Sequence, residues 1–488
     1  MGKQKIGLMI GVALAMGVAA CTTSPTSGER IFTGFVSSQQ ESQIGMENHA
    51  DLLKQFNGVA DNKKADAMVQ RIAARLAPHA ERKDVQWTFT VLNDDLVNAF
   101  AVPGGYIYIT RGLLNLAQNE AQVAAVLGHE MGHINARHSA QQMSQGMIAN
   151  LGLSALGIAL GSDVANQAGS IGADLFIKSY SRAHEMEADA LAIRYLSAAG
   201  YDPYANADFL YMLELHSQLQ ARMAGSEAGD QLASFFSTHP ATPERVTAAR
   251  QLAAQMPKKA NPIINRAEYL QAIDGTVYGD SAEQGFIRGQ EFIHPELKIR
   301  FSVPSGFVLK NSPQQVLAQH KSGAAIIFDM GQGKSNDPVE YISSIWAQGA
   351  NLTQQEKITV NGMAAATAAT QMTSSKTGIM ETRILAVSAG NNRFYRMIFM
   401  TPRGAMNVYA DGFKRSTYSL KQLSAQELQR LSPNRVRLIK VKSGDTVQSL
   451  AAQMPVTDFA VERFCLLNGI TPETKLQNGA TIKTIAPF

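Results

Sequence analysis

The chain has 488 residues, too many for one compact core, so roughly two to four domains are expected. A hydrophobic share of 45% with 17% charged residues belongs to a globular protein and excludes a disordered one. The formal charge of +4 falls to +2 once Lys3 and Lys5 are set aside with a leader segment, and no Lys/Arg run or aromatic-basic stripe occurs; nucleic acid is excluded as a partner.

The chain opens with basic "MGKQK" and an apolar run from Ile6 to Ala20, long enough for a signal-peptide core and short for a membrane span. The run ends in "VAAC", which resembles a bacterial lipobox. That resemblance implies a signal peptide over 1–20, lipidation of Cys21, and a stable anchor made by several acyl chains. Thr22, in place of an Asp, points to the outer membrane of a Gram-negative cell, with the protein on the periplasmic side. "CTTSPTSGER" is polar and Pro/Ser/Thr-rich, so 21–40 is expected to be a tether. The second of the two cysteines, Cys465, lies in apolar "RFCLLN" and is expected to be a packing residue with no disulfide partner.

Two helical patterns follow, over Ser42–Phe56 and Lys63–Leu76. "QWTFTVLND" alternates as a strand does, and "NAFAVPGGYIYITRGLL" reads as strand, turn, strand and helix start. From Glu120 to His138 the pattern is helical, and it carries three of the ten histidines within "AAVLGHEMGHINARH". His129 and His133, four apart, share a helix face and can bind one ion; Glu130 lies one step round, within reach of a water on that ion. This is the H-E-x-x-H arrangement of a zinc peptidase: neutral nitrogens for the metal, a fourth position for water, and a carboxylate to take its proton. Gly128 and Gly132 each cost a helix roughly 1 kcal/mol relative to Ala, so another element is expected to approach closely there.

A third protein ligand is required. The extended pattern that places Gly and His at positions 136 and 139 fails, because those residues are Ala136 and Ser139. His138 comes one residue early and reads as a polar residue of the last helical turn. Downstream, "SRAHEMEADALAIRYL" offers Glu185 with Asp189 four residues on. Glu185 is then the ligand, and Asp189 accepts a hydrogen bond from the far nitrogen of a metal-bound histidine. Glu187 fits by residue type, but Glu185 has the acidic residue at plus four. Further helices are expected over "YDPYANADFLYMLELHSQLQARM" and "PERVTAARQLAAQM".

"HEMGH", "YSRAHEMEAD" and "STHPATPER" together resemble the zinc metalloprotease family that includes HtpX, the CAAX prenyl endopeptidases and the periplasmic protease BepA. The resemblance covers roughly 40–255. It implies a gluzincin-like fold with one Zn2+ held by His129, His133 and Glu185, and Glu130 as general base. It also implies a place near the metal for His239, either steadying an oxyanion or latching the open coordination site. Arg245 would fix the His239 loop or hold a substrate carbonyl. "GGYIYI" resembles the edge strand on which such enzymes take an extended substrate. The Ala/Gly/Met-rich stretch between the two motif helices contains no run long enough to span a membrane and is read as helical cover, a lid or core packing.

Beyond 256 the texture changes. A Pro/Gly/Asp-punctuated connector over 257–289 leads into strand-like runs interrupted by "PVEYISSIWAQG" and "SLKQLSAQELQRL", read as an α+β domain over 290–430. The end, 437–488, resembles a LysM module through "SGDT", "LNGI" and "NGATIK", which implies a strand–helix–helix–strand unit and peptidoglycan as a partner. The expected architecture is therefore multidomain. A mainly α-helical zincin, gluzincin-like protease domain with a small β-sheet spans 41–256, followed by the α+β domain and the LysM-like βααβ module. The expected activity is a zinc endopeptidase acting on protein or peptide substrates of the envelope, clearing misassembled outer-membrane proteins. Two rivals stand beside it: an assembly factor that seldom cuts, and a peptidoglycan hydrolase. The hydrolase reading lacks the H-x-H pair such enzymes need.

Overall fold

The computed structural model describes residues 21–34, 36–145, 179–224, 239–240, 242–312, 314–374, 378–429, 431–456 and 458–487. The chain divides into two compact units, one made of residues up to Tyr278 together with Asn434–Pro487, the other of Gly279–Pro433.

The first unit begins with a short antiparallel hairpin, β1 (Cys21–Thr23) and β2 (Arg30–Phe32), where a tether is expected. Helix α1 (Ser38–Gln55) starts at a capping box in which Ser37 and Gln40 exchange side-chain and backbone hydrogen bonds. Asn62 caps α2 (Lys63–Leu76), whose Ala65, Met68, Val69, Ile72 and Leu76 recur at three- and four-residue steps and are all buried.

A three-stranded sheet follows: β3 (Thr88–Leu92), β4 (Ala99–Val102) and β5 (Tyr106–Thr110), in the spatial order β3-β5-β4. The turn before β5 needs its glycines. Gly104 and Gly105 have φ of 90° and 102°, and a Cβ on Gly105 would lie 2.3 Å from the Gln86 carbonyl oxygen. One expectation is overturned here: "GGYIYI" is the interior strand, paired with β3 in parallel and β4 antiparallel, so among the described residues the strand with an unpaired side beside the H-E-x-x-H helix is β4.

Thr110 caps the short α3 (Arg111–Leu116) and Asn119 caps α4 (Glu120–Asn135), which is buried along its whole length. The helical pattern that runs to His138 is interrupted at 136–137, with Arg137 at a φ of 59°, and resumes over 138–145. Helix α5 (Arg182–Ala199) packs against α4 and ends at Gly200, in the left-handed conformation usual for that position. Next come α6 (Ala205–Ala224), α7 (Pro243–Gln255) and α8 (Arg266–Ile273). Within the stretch read as a connector, Tyr269, Leu270 and Ile273 of α8 join the main core with α2, α4 and α5. No helix among the described residues is long and apolar enough to cross a membrane. Most of the stretch read as a lid, 146–178, lies outside the described residues.

The second unit is built on β-strands. The four-stranded sheet contains β6 (Phe286–Arg288), β7 (Glu291–His294) and β8 (Ile299–Ser302). The seven-stranded sheet contains β9 (Phe307–Asn311), β10 (Val316–His320), β11 (Ala325–Gln332), β12 (Thr353–Val360), β13 (Met363–Ser374), β14 (Gly378–Gly390) and β15 (Arg393–Pro402). It is antiparallel throughout, in the order β12-β13-β14-β15-β11-β10-β9. Helix α9 (Met406–Ser419) packs on it through Phe413, and β16 (Lys421–Gln422) completes the smaller sheet beside β8.

The chain then returns to the first unit. β17 (Asn434–Lys440) pairs antiparallel with β18 (Thr481–Pro487), and α10 (Val447–Ala451) and α11 (Ala460–Asn468) lie between them in sequence. The fully buried Lys483 of β18 donates to the carbonyls of Asn115 (2.9 Å) and Ala117 (2.6 Å) and to the Tyr269 hydroxyl (3.2 Å), which ties this segment to α3 and α8. Cys465 is free and buried.

Candidate metal centre

Helix α4 delivers two imidazoles to one point. The Nε2 atoms of His129 and His133 are 3.0 Å apart, and both side chains are buried. This closeness follows from the four-residue spacing, which stacks the two side chains on one face.

Helix α5 brings Glu185 to the same point: its Oε2 is 3.4 Å from His129 Nε2 and its Oε1 3.5 Å from His133 Nε2. The helices can approach this closely because Gly128 faces Ala192 and Gly132 faces Ala188, as the two costly glycines require. A fourth donor comes from the segment before α7. His239 Nδ1 lies 2.9 Å from Glu185 Oε1 and 3.3 Å from His129 Nε2. One ligand atom from each of His129, His133, Glu185 and His239 lies within 4.8 Å of the others.

These residues fit a divalent cation. His129 Nδ1 hydrogen-bonds Asp189 Oδ1 at 2.9 Å, so its Nε2 lone pair faces inward. If His133 likewise turns a lone pair inward, the two nitrogens 3.0 Å apart need a proton or a cation between them. Glu130, Glu185 and Asp189 are three buried carboxylates facing a single buried guanidinium, that of Arg245. Both oxygens of Glu130 are buried and accept no hydrogen bond among the described residues; His239 Nε2 is 3.6 Å away. An orphaned buried carboxylate beside the donor set is what a missing charged or water-bearing group leaves behind.

The electrostatics point the same way. Burial would lower the His129 pKa, but Asp189 and Glu185 outweigh it and carry it up to about 10. Burial would raise Glu185, yet His239 and His129 hold it well below the ordinary carboxylate range. Glu130 is pushed up, chiefly by burial. The site is thus suited to a positive charge at its centre, and Glu130 is the carboxyl that burial inclines to keep its proton.

Arg245 is engaged with the protein itself. Its Nε and Nη2 make a bidentate pair with Asp189 at 2.8 and 2.9 Å, and Nη1 donates to the Pro240 carbonyl at 2.8 Å and lies 2.8 Å from Glu185 Oε2. Of its two expected uses, the one visible here is fixing the His239 loop. Glu187, the rival ligand, is away from the donor set and half-exposed. Cys21 opens β1, antiparallel to Phe32. Sequence reasoning missed Tyr180, stacked on the His133 ring at 4.0 Å and 17°, and His138, read as a polar residue of the last helical turn, has its Nδ1 2.8 Å from His133 Nδ1.

Residues 63–253 match the family model described as Peptidase family M48. This stretch of the chain belongs to peptidase family M48. Among curated relatives, the mitochondrial metalloendopeptidase OMA1 of Arabidopsis thaliana is 36% identical over 162 residues, covering 33% of this chain and 30% of that protein. The beta-barrel assembly-enhancing protease of Yersinia pestis is 30% identical over 213 residues, 42% of each chain. The protein of that name from Escherichia coli K12 is 30% identical over 197 residues, 38% of this chain and 39% of its own. Each of these matches spans less than half of the relative's length. All the residues of the donor set lie inside the M48 segment.

Proposed function

We propose that the chain is a zinc-dependent endopeptidase of the bacterial envelope. One observation carries the reading: His129, His133 and Glu185 converge on a single point with the orphaned carboxylate of Glu130 beside it. A two-histidine, one-glutamate set suits zinc, whose Lewis acidity when bound polarises a peptide carbonyl and acidifies water. Glu130 is the proton carrier: one of its unpartnered oxygens takes a proton from the attacking water and returns it to the leaving amine. Asp189 holds the His129 ring, and Arg245 holds Asp189. His239 stands where a fourth ligand stands, so in this pose it acts as a latch that gives way to water and substrate.

The substrate class is inferred from the relatives whose names describe assembly of β-barrels: protein chains of the outer membrane that have gone astray. The lipobox-like run before Cys21 supports a periplasmic enzyme anchored by lipid to the outer membrane. The strand–helix–helix–strand order of β17, α10, α11 and β18 supports a LysM-like module and, with it, peptidoglycan as a partner.

The test is zinc content and casein cleavage of the mature chain beside Glu130→Gln and Glu185→Ala. The first variant should keep its zinc and lose activity; the second should lose both. Wild-type protein with no zinc, or a Glu130→Gln variant as active as wild type, refutes the proposal.

A further inference from the structure

The two histidines of α4 are supported differently. His129 leans on a carboxylate, Asp189, in the arrangement usual for metal-bound histidines. His133 leans on another imidazole. Its Nδ1 is 2.8 Å from Nδ1 of His138, His138 Nε2 is 3.2 Å from Glu187 Oε2, and Thr26 Oγ1 is 2.7 Å from Glu187 Oε1. Thr26 belongs to the amino-terminal β1–β2 hairpin, five residues after Cys21.

Hydrogen-bonding rules set the direction of every link in this row. An ionised carboxylate only accepts, so Thr26 and His138 Nε2 both donate to Glu187. A neutral His138 with its proton on Nε2 has only a lone pair on Nδ1, so the proton of the next link sits on His133 Nδ1. His133 Nε2 is then left with its lone pair facing His129 Nε2 and Glu185.

The backbone is shaped for this contact. A continuous helix would carry His138 round to another face. Instead Arg137 adopts a left-handed φ of 59°, a conformation that costs a non-glycine residue about 1–2 kcal/mol, and the chain turns His138 back on His133. Arg137 is held there by the Val36 carbonyl at 2.6 Å and by Glu41 at 3.2 Å. Both rings are clamped: Tyr180 stacks on His133, and His184 stacks on His138 at 4.1 Å and 16°.

We infer that Thr26, Glu187 and His138 form a tautomer-setting relay, in which His138 and Glu187 are positioning residues for His133 and Thr26 couples the amino-terminal hairpin to the metal ligand. The inference rests on the metal-centre reading above. It gives the hairpin that begins at Cys21 a direct influence on metal affinity: displacing it removes one of the hydrogen bonds that orient Glu187.

The experiment measures zinc affinity of the full chain by competition with a chromophoric chelator, alongside thermal unfolding of the metal-free forms. Loss of a group that supports a metal ligand ordinarily weakens binding 10–100-fold, and that is the loss expected for His138→Leu. His138→Gln, whose amide can accept from His133 and donate to Glu187, should stay within about threefold of wild type. Thr26→Val should weaken binding less than His138→Leu, and should add nothing in a Glu187→Leu background, as members of one relay do. If His138→Leu and His138→Gln weaken zinc equally, or neither does, the relay is refuted.

Where His138→Leu fails to fold, ring 15N spectra of histidine-labelled wild-type protein decide. The relay requires protons on His133 Nδ1 and His138 Nε2, and a proton on His138 Nδ1 overturns it. Wild-type protein that takes up no zinc sinks the metal-centre reading alone, because the same spectra of the metal-free chain still judge the relay.

Discussion

A Cβ added to Gly132 would lie 3.1 Å from the Cα and 3.2 Å from the carbonyl oxygen of Ala188, so α4 and α5 meet backbone to backbone one residue before His133. That contact sets the distance between the two imidazoles on one helix and the Glu185 carboxylate on the other. Gly132→Ala must wedge the helices apart, with an expected cost of about 1–3 kcal/mol and weaker zinc binding. Gly128→Ala is the control. Its Cβ would meet Ala192 Cα at 3.4 Å, an ordinary contact, so better helix propensity should leave it neutral or up to about 1 kcal/mol more stable. Urea midpoints and zinc content of the two variants separate these outcomes; equal effects would refute the account.

Arg245 neutralises Asp189 and Glu185 from a position where none of the three is exposed. Arg245→Met leaves two buried carboxylates without their cation, and breaking such a pair typically costs about 3–5 kcal/mol. Arg245→Lys should recover little, since an ammonium cannot reproduce the bidentate grip on Asp189 while also reaching the Pro240 carbonyl. Denaturant titration measures both. A Lys variant as stable as wild type would mean that charge alone matters here.

The elements around the site were legible because their signals are local. The H-E-x-x-H spacing, the Glu185/Asp189 pair and the two glycines each follow from helical periodicity alone. What escaped depends on contacts distant in sequence. "GGYIYI" has the same alternation whether it lies at an edge or inside, and only its pairing with both β3 and β4 decides. His138 reads as the end of a helix because nothing in "NARH" announces a left-handed Arg137, which is stabilised by Val36, in the loop before α1, and by Glu41 on α1. Helix α9 carries "MNVYADGFKRSTYS", a run of weak helix formers including Gly412, and is held by burial of Phe413 rather than by propensity.

Lys483 makes three hydrogen bonds where no solvent reaches. Replacing it with Met strands the Asn115 carbonyl, at an expected cost of about 1–3 kcal/mol for a buried acceptor left unpaired. Because the lost links run between β18 and α3 and α8, the change should be local as well as global. Amide exchange over 434–487 should accelerate more than exchange within α4. Uniform acceleration across the first unit would count against Lys483 as the tie.

The second unit contains its own acid-sensitive group. His294 ends β7, is 9% exposed, and accepts the Leu297 amide on Nδ1 at 3.3 Å, which it can do only with that nitrogen unprotonated. Burial lowers its pKa to about 4, against an ordinary 6.5. The sign follows: the unfolded chain binds the extra proton first, so this contribution to stability is intact above about pH 6.5 and is lost as pH falls toward 4. At pH 5 the loss should be about 2 kcal/mol relative to pH 7.5. His294→Gln, which can still accept the Leu297 amide but cannot titrate, should remove that part of the pH dependence. Chemical denaturation of both forms at pH 7.5 and pH 5 measures it, and parallel losses in the two would show that some other group titrates.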